Sequence, residues 1–131
     1  LNRASKTDHV VHFEGHCEHI HHELQTLDIL LMTSDHEGLP MVLLEAMMLQ
    51  VSVIAHAVGG IPVLLDNGGC GTLITEQNPA AYATAIKHLL LQKERKSAMT
   101  QHALEQVSQN YTAGKNAENT AALYHQLLTL H

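Results

Sequence analysis

Short apolar runs of strand length alternate along this chain with longer segments that have the periodicity of helices. The runs at residues 28–32 and 51–55 are almost wholly apolar, which is typical of strands buried in a parallel sheet. Two further strands are predicted at residues 10–14 and 72–75. Alternating strands and helices predict an α/β fold, namely a Rossmann-like parallel sheet with helices on both faces.

The predicted helices rest on apolar positions three or four residues apart and on residues that begin or end helices. Pro40 and Pro62 stand where first turns would begin, and Asn78 precedes Pro79 as a helix cap. Helices are expected at residues 17–27, from 40 onward, at 62–67, from 79 onward, at 94–109 and at 113–130. The expected inward positions are Cys17, Ile20, Leu24 and Leu27; Tyr82, Ile86, Leu89 and Leu90; Met99, Ala103 and Val107; and Ala117, Ala121, Tyr124 and Leu128.

Composition narrows the class of protein. The 131 residues suit one domain with a real core. A net charge of −6 without any basic run argues against nucleic acid as a partner. The two cysteines, Cys17 and Cys70, form no disulfide framework. With no apolar stretch of membrane-spanning length and no signal pattern, the sequence predicts a cytoplasmic location.

The turn between the second predicted strand and Pro40 is a candidate anion site. A strand, a tight turn at Gly38 and a helix would direct the free amides of the helix start beyond the carboxyl end of the strand. Those amides and the helix dipole favour negative charge. Pro40 has no N–H, so the expected donors are the amides of Gly38, Leu39, Met41 and Val42.

Two carboxylates, Glu37 and Glu45, flank the same turn. They would repel a phosphate at close range and are better suited to accept hydrogen bonds from hydroxyl groups. A ligand with phosphate between two polyols would satisfy both the amides and the carboxylates. A nucleotide-sugar is such a ligand.

These residues resemble a known family. Glu37-Gly38-Leu39-Pro40 followed by Leu44-Glu45-Ala46-Met47 is similar to the Glu-x7-Glu signature of the retaining glycosyltransferases of family 4 (group 1), which have the GT-B fold. The flanking segments at residues 11–15, 28–30, 53–62 and 68–73 match in order and spacing. The resemblance covers nearly the whole chain and implies the donor-binding, C-terminal half of such an enzyme.

The resemblance implies a role for each residue of the motif. Glu37 would contact hydroxyls of the donor sugar and is the candidate catalytic residue, whereas Glu45 would hold the ribose. The amides from Gly38 to Val42 would bind sugar and diphosphate, and the Gly59–Gly60 turn would line the cleft. Sugar would move from the nucleotide-sugar to an acceptor hydroxyl with retention of configuration, and neither a metal nor another cofactor is implied.

Three departures from the family also shape the expectations. The strand–helix–strand unit whose Arg and Lys clamp the diphosphate is not present, and Arg3 and Lys6 do not occupy that motif. Val63 stands where the family often has Glu. The acceptor domain is absent too. Residues 1–131 are therefore expected to be a single partial domain, inactive alone, whose full-length enzyme takes a glycan or lipid-linked acceptor and can associate peripherally with a membrane.

Other interpretations compete with this one. A sugar-nucleotide epimerase or another GT-B enzyme could share the same phosphate geometry, since fold does not fix chemistry. The stretch from His16 to His22 has residue types that bind zinc or copper, which would make the chain a metal-binding module. Against this, a helix at 17–27 turns Cys17 and His22 to opposite sides. His36 is interpreted as a cleft or surface residue, and the glycine pairs as turns.

Overall fold

Three parallel strands form the sheet of this protein, whose computed structural model describes residues 10–129. The strands are β1 (Ile29–Met32), β2 (Ser52–His56) and β3 (Thr72–Ile74), and they lie side by side in chain order. In the register, Leu31 is opposite Ile54, and Ile54 is opposite Thr72. Parallel neighbours need crossover connections, so helices separate the strands and the three carboxyl ends meet at one edge of the sheet.

The helices follow the predicted order. They are α1 (Ile20–Thr26), α2 (Met41–Met48), α3 (Ile61–Leu64), α4 (Pro79–Leu91), α5 (Lys93–Asn110) and α6 (Ala113–Leu128), with a 3₁₀ turn at Asp66–Gly68. The predicted cap of α4 is confirmed, because Asn78 Oδ1 accepts a hydrogen bond of 2.9 Å from the amide of Ala81. Among the described residues, no helix combines the length and the apolar character needed to cross a membrane.

The core lies on both faces of the sheet, as predicted. Successive side chains of a strand point to opposite faces. Val53 and Ala55 of β2 therefore join the cluster formed with α2, α3 and part of α5, while Ile54 joins Tyr82 and other residues of the opposite cluster. All five residues from Val51 to Ala55 are buried. The central strand is thus enclosed, and its carboxyl end is fixed in position.

The strand predicted at residues 10–14 is wrong. This segment pairs with no strand among the described residues, and its side chains are exposed, Phe13 by 95%. An alternating pattern forms a strand only where a neighbouring strand accepts its hydrogen bonds. The helix predicted at 17–27 is also shorter than expected. Only Leu24 of its four expected inward residues is buried, because α1 has two turns and packs on α2 over a short contact.

The later helices confirm the predicted inward residues only in part. Met99, Ala103 and Val107 of α5 are buried as predicted. On α4, Tyr82 and Leu89 are buried but Leu90 is 50% exposed, because a step of one residue turns the side chain by about 100°. The predicted inward face of α6 is wrong: no residue of this helix is buried. Its large apolar side chains are more than half exposed.

Candidate functional site

Two loops meet at the carboxyl edge of the sheet. One spans residues 33–40 between β1 and α2, and the other spans residues 57–60 between β2 and α3. The amide of Gly60 donates to the carbonyl oxygen of Gly38 at 2.8 Å, which joins the loops backbone to backbone. This edge is where open α/β sheets bind their ligands. The loops therefore form the candidate site.

Glycine is required in the second loop because the first loop lies against it. Gly59 has φ +55°, and a Cβ on it would lie 1.8 Å from the carbonyl oxygen of Glu37. A Cβ on Gly60 would lie 2.7 Å from the carbonyl oxygen of Gly38. Both distances are shorter than real Cβ contacts. The structure thus assigns loop packing to Gly59 and Gly60, and their expected contact with ligand stays a prediction.

Gly38 differs from these two glycines. Its φ is not in the left-handed region, and a Cβ built on it would meet no atom within 4 Å. Gly38 is also exposed. Backbone shape therefore does not require glycine at this position. The open space above Gly38 is where a ligand could approach the backbone closely.

Two polar side chains tie the first loop to the other strands. His56, the last residue of β2, places Nδ1 3.1 Å from the carbonyl oxygen of Ser34. The side-chain amide of Gln77, just after β3, donates to the carbonyl oxygen of Thr33. Neither residue has a role predicted from the sequence. A polar residue ending a buried apolar strand was the available signal for His56, whereas Gln77 stands in an ordinary polar loop.

The start of α2 presents the predicted amides. Pro40 precedes the helix in an extended conformation, and no side chain caps it. The amide of Leu43 donates to the carbonyl oxygen of Pro40, but those of Gly38, Leu39, Met41 and Val42 have no hydrogen-bond partner among the described residues. Gly38, Leu39 and Met41 are exposed and Val42 is half-buried. Within the described residues, these four amides therefore remain free to donate to a ligand.

The two acidic residues Glu37 and Glu45 flank this helix start along the chain, and both are half-buried. Glu37 lies in the loop, one residue before Gly38. Glu45 lies one helical turn after Met41, on the same side of α2, and side chains of a helix lean toward its amino end. Within residues 10–129, neither carboxylate has a hydrogen bond or an ion pair. Both can accept hydrogen bonds from ligand hydroxyls. Arg3 and Lys6 lie outside the described residues.

A mainly apolar groove of about 490 Å³ lies beside the site, between β1 and α4. Leu31, Thr33, Tyr82 and Ile86 contribute to its lining. The buried hydroxyl of Tyr82 has no hydrogen-bond partner among the described residues. Burial, and to a smaller extent the charge of Asp35, raises the pKa of Tyr82. The groove adjoins the first loop but does not include Glu37 or Glu45.

The histidine-rich stretch does not form a metal site among the described residues. His19 precedes α1, and its ring centroid lies 5.8 Å from that of His22, but no third metal-binding side chain of the described part joins them. One group of three such side chains does converge elsewhere in residues 10–129, at Asp66, Cys70 and His102. Burial and the charge of Asp66 raise the pKa of Cys70 to about 11.

The known proteins to which this sequence is similar are named as glycosyltransferases and synthases. The D-inositol 3-phosphate glycosyltransferase of Corynebacterium urealyticum is 30% identical over 106 residues, which are 81% of this chain and 25% of that protein. The N-acetyl-alpha-D-glucosaminyl L-malate synthase of Bacillus anthracis is 30% identical over 116 residues, 88% of this chain and 30% of that protein. The chain thus spans about a quarter to a third of the length of these relatives.

A solved structure and a family model point to the same class of protein as these relatives. The structure of sucrose-phosphate synthase from Thermosynechococcus elongatus superposes with a TM-score of 0.72 at 26% identity, covering 83% of this chain and 27% of that one. The sequence model of the family described as glycosyl transferases group 1 matches residues 3–106. This match includes β1, β2, β3 and both loops of the candidate site. The chain belongs to the group 1 glycosyl transferases.

Proposed function

We propose that this chain forms the donor-binding part of a retaining glycosyltransferase, which moves a sugar from a nucleotide-sugar to an acceptor hydroxyl. One observation carries the proposal. Four amides at the start of α2 and two carboxylates beside them engage no other described residue, although they lie at the carboxyl edge of the sheet. Free amides at a helix start suit a diphosphate, and carboxylates suit sugar hydroxyls.

The roles follow from these preferences. Glu37 contacts hydroxyls of the donor sugar next to the reacting carbon, and Glu45 accepts hydrogen bonds from the ribose. The amides of Gly38, Leu39, Met41 and Val42 bind the sugar and diphosphate. Gly59 and Gly60, held against the backbone of residues 37 and 38, line the sugar side of the cleft.

The proposed chemistry depends on the leaving group. Amides aimed at the diphosphate stabilise the charge that develops as the bond to the anomeric carbon breaks. Holding the donor sugar in place allows the acceptor hydroxyl to attack from the same face, which retains the configuration. We expect no metal or other cofactor in this transfer.

The acceptor side belongs to the rest of the enzyme. The relatives' names mention different small molecules, whereas the family and the fold are shared, so the proposal is confined to the donor side. We expect a glycan or lipid-linked acceptor, bound by a further domain. The expected location is the cytoplasm or its membrane surface, through peripheral association.

The isolated chain should bind nucleotide-sugars weakly and transfer nothing. The family's cationic clamp would add two charge-assisted hydrogen bonds, each contributing about 1.5–3 kcal/mol. Losing both would weaken binding by about two to four decades. Calorimetric titration of the 131-residue chain with several nucleotide-sugars measures this, and micromolar binding would show that the clamp is unnecessary.

The site assignment is tested in the full-length protein with Glu45→Gln and Glu37→Gln. Glu45→Gln should bind nucleoside diphosphate about tenfold to a hundredfold more weakly than the wild type, because it loses one charge-assisted hydrogen bond. Glu37→Gln should lower kcat more than nucleotide affinity. Glu105→Gln, an exposed position on α5, is the matched control and should match the wild type. If both site variants also behave like the wild type, the assignment fails.

Analysis of the products tests the reaction class. A transferase joins the donor sugar to an acceptor and releases nucleoside diphosphate, with the anomeric configuration of the donor retained in the product. An epimerase of the same fold would return an altered sugar without a transfer product. Nuclear magnetic resonance of the new glycosidic linkage separates retention from inversion.

A further inference from the structure

Three metal-binding side chains converge at the opposite edge of the sheet from the candidate site. The ligand atoms of Asp66, Cys70 and His102 all lie within 4.8 Å of one another. Asp66 Oδ2 is 3.7 Å from His102 Nε2. Cys70 comes two residues before β3, whose first residue Thr72 is opposite Ile54. The cluster therefore lies at the amino edge.

A left-handed turn places the first ligand of this cluster. Asp66, Asn67 and Gly68 have φ values of 47°, 49° and 106°, so the chain reverses sharply after α3. The amides of Gly68 and Cys70 both donate to the carbonyl oxygen of Leu65, at 2.9 and 3.0 Å. The reversal brings the Asp66 carboxylate back toward Cys70.

Gly69 allows the ligands from the turn and from α5 to approach each other. A Cβ on Gly69 would lie 2.9 Å from Asp66 Oδ2 and 3.2 Å from His102 Cε1. A side chain at this position would therefore push the carboxylate and the imidazole away. With glycine there, the two groups lie half-exposed above the buried Cys70.

The donor atoms indicate which metal fits. Sulfur, imidazole nitrogen and carboxylate oxygen together suit zinc rather than magnesium or calcium, which prefer oxygen ligands alone. Zinc bonds of about 2.0–2.2 Å in tetrahedral geometry put a nitrogen and an oxygen ligand about 3.3–3.5 Å apart. The distance of 3.7 Å between Asp66 Oδ2 and His102 Nε2 is slightly longer, and a small rotation of either half-exposed side chain removes the difference.

We propose that Asp66, Cys70 and His102 bind one zinc ion. The fourth position opens into a groove of about 260 Å³ lined in part by Gly68, Met99 and Arg95, where water or a small anion completes the tetrahedron. The Cys70 thiol gives its proton to solvent when the sulfur–zinc bond forms. The ion links the turn after α3 to α5, far apart in sequence, and so stabilises the fold without taking part in sugar transfer.

Cobalt(II) tests the proposal because it reports a thiolate ligand spectroscopically. The parent protein for the titration is Cys17→Ser, which removes the other thiol, so that a thiolate-to-cobalt band must come from Cys70. One equivalent of Co²⁺ should produce a thiolate-to-cobalt charge-transfer band in the near ultraviolet and tetrahedral bands in the visible. Zn²⁺ should displace them.

Variants assign the signal to residues. His102→Gln changes a half-exposed side chain, so the fold should persist by circular dichroism while Co²⁺ binds at least about tenfold more weakly. Cys70→Ser should abolish the charge-transfer band. The control His125→Gln, on the exposed helix α6, should bind like the parent. No charge-transfer band in Cys17→Ser, or unchanged binding by His102→Gln, overturns the proposal.

Discussion

Gly59 lies so close to Glu37 that a Cβ on Gly59 would be 1.8 Å from the Glu37 carbonyl oxygen. The loop after β2 and the loop after β1 are therefore in direct backbone contact. The neighbouring hydrogen bond from Gly60 to Gly38 extends this contact by one residue. The position of the Glu37 backbone thus depends on a residue in a different crossover of the fold.

Gly59→Ala should destabilise the chain by at least about 2 kcal/mol. Part of the loss comes from alanine at φ +55°, which costs about 1–2 kcal/mol, and the rest from displacing the backbone of Glu37. Urea denaturation measures the free energy of unfolding. The control Gly114→Ala, in α6 and with open space around its Cβ, should be neutral or raise stability by about 0.5 kcal/mol. Equal stability of both variants would contradict the loop contact.

Gly38→Ala separates ligand approach from backbone shape. Its Cβ would meet no atom of the described residues, so the free energy of unfolding should change by less than about 0.5 kcal/mol. If the diphosphate or sugar lies against this backbone, the added methyl group should lower kcat/KM of the full-length protein at least about tenfold. Wild-type kcat/KM in this variant would place the ligand elsewhere.

Tyr82→Phe should raise stability by up to about 1 kcal/mol. The buried Tyr82 hydroxyl has no hydrogen-bond partner among the described residues, and its removal relieves the cost of leaving it unpaired. The comparison is Tyr124→Phe, which alters an exposed hydroxyl and should change little. Thermal denaturation of the two variants and of the wild type measures the change in stability. A clear loss of stability in Tyr82→Phe would mean that the hydroxyl is satisfied.

Stability should fall as the pH rises from about 9 to 11 in metal-free buffer. Cys70 has its pKa raised from 9.0 to about 11, mainly by burial. Below pH 9 the thiol is protonated in the folded and the unfolded chain. Above pH 9 the unfolded chain loses that proton first, which favours unfolding by up to about 2 kcal/mol at pH 11. In Cys70→Ala the free energy of unfolding should fall less steeply with pH than in the wild type. Equal slopes for the two proteins would contradict the prediction.

Local sequence signals predicted the parts of the fold that depend on neighbours in the chain. Asn78 and Pro79 begin α4, Pro40 precedes α2, and the apolar run around Ile54 is the buried central strand. The strand expected at residues 10–14 failed because strand formation depends on a partner that the local pattern does not reveal. The prediction of an inward face for α6 failed for a similar reason, because periodicity indicates an apolar face of a helix but not which element covers it.

Only the part of the candidate site that lies in one continuous segment could be predicted from the sequence. Glu37, Glu45 and the amides after Gly38 belong to a single loop and helix, so their spacing could be read directly. The contacts of His56 with Ser34 and of Gly59 with Glu37 join separate crossovers, and no spacing along the chain reveals them. The same applies to Asp66 and His102, which only the packing of α5 brings together.

The backbone contact between Gly59 and Glu37 also bears on the entropy of the donor binding that we propose. A long loop that is ordered only when ligand arrives loses conformational freedom at that moment and binds more weakly for it. Here the loop loses that freedom during folding, since His56, Gln77 and the two glycines already hold it. For the proposed donor, this side of the site is therefore already ordered before binding, and less conformational entropy is lost when the ligand arrives.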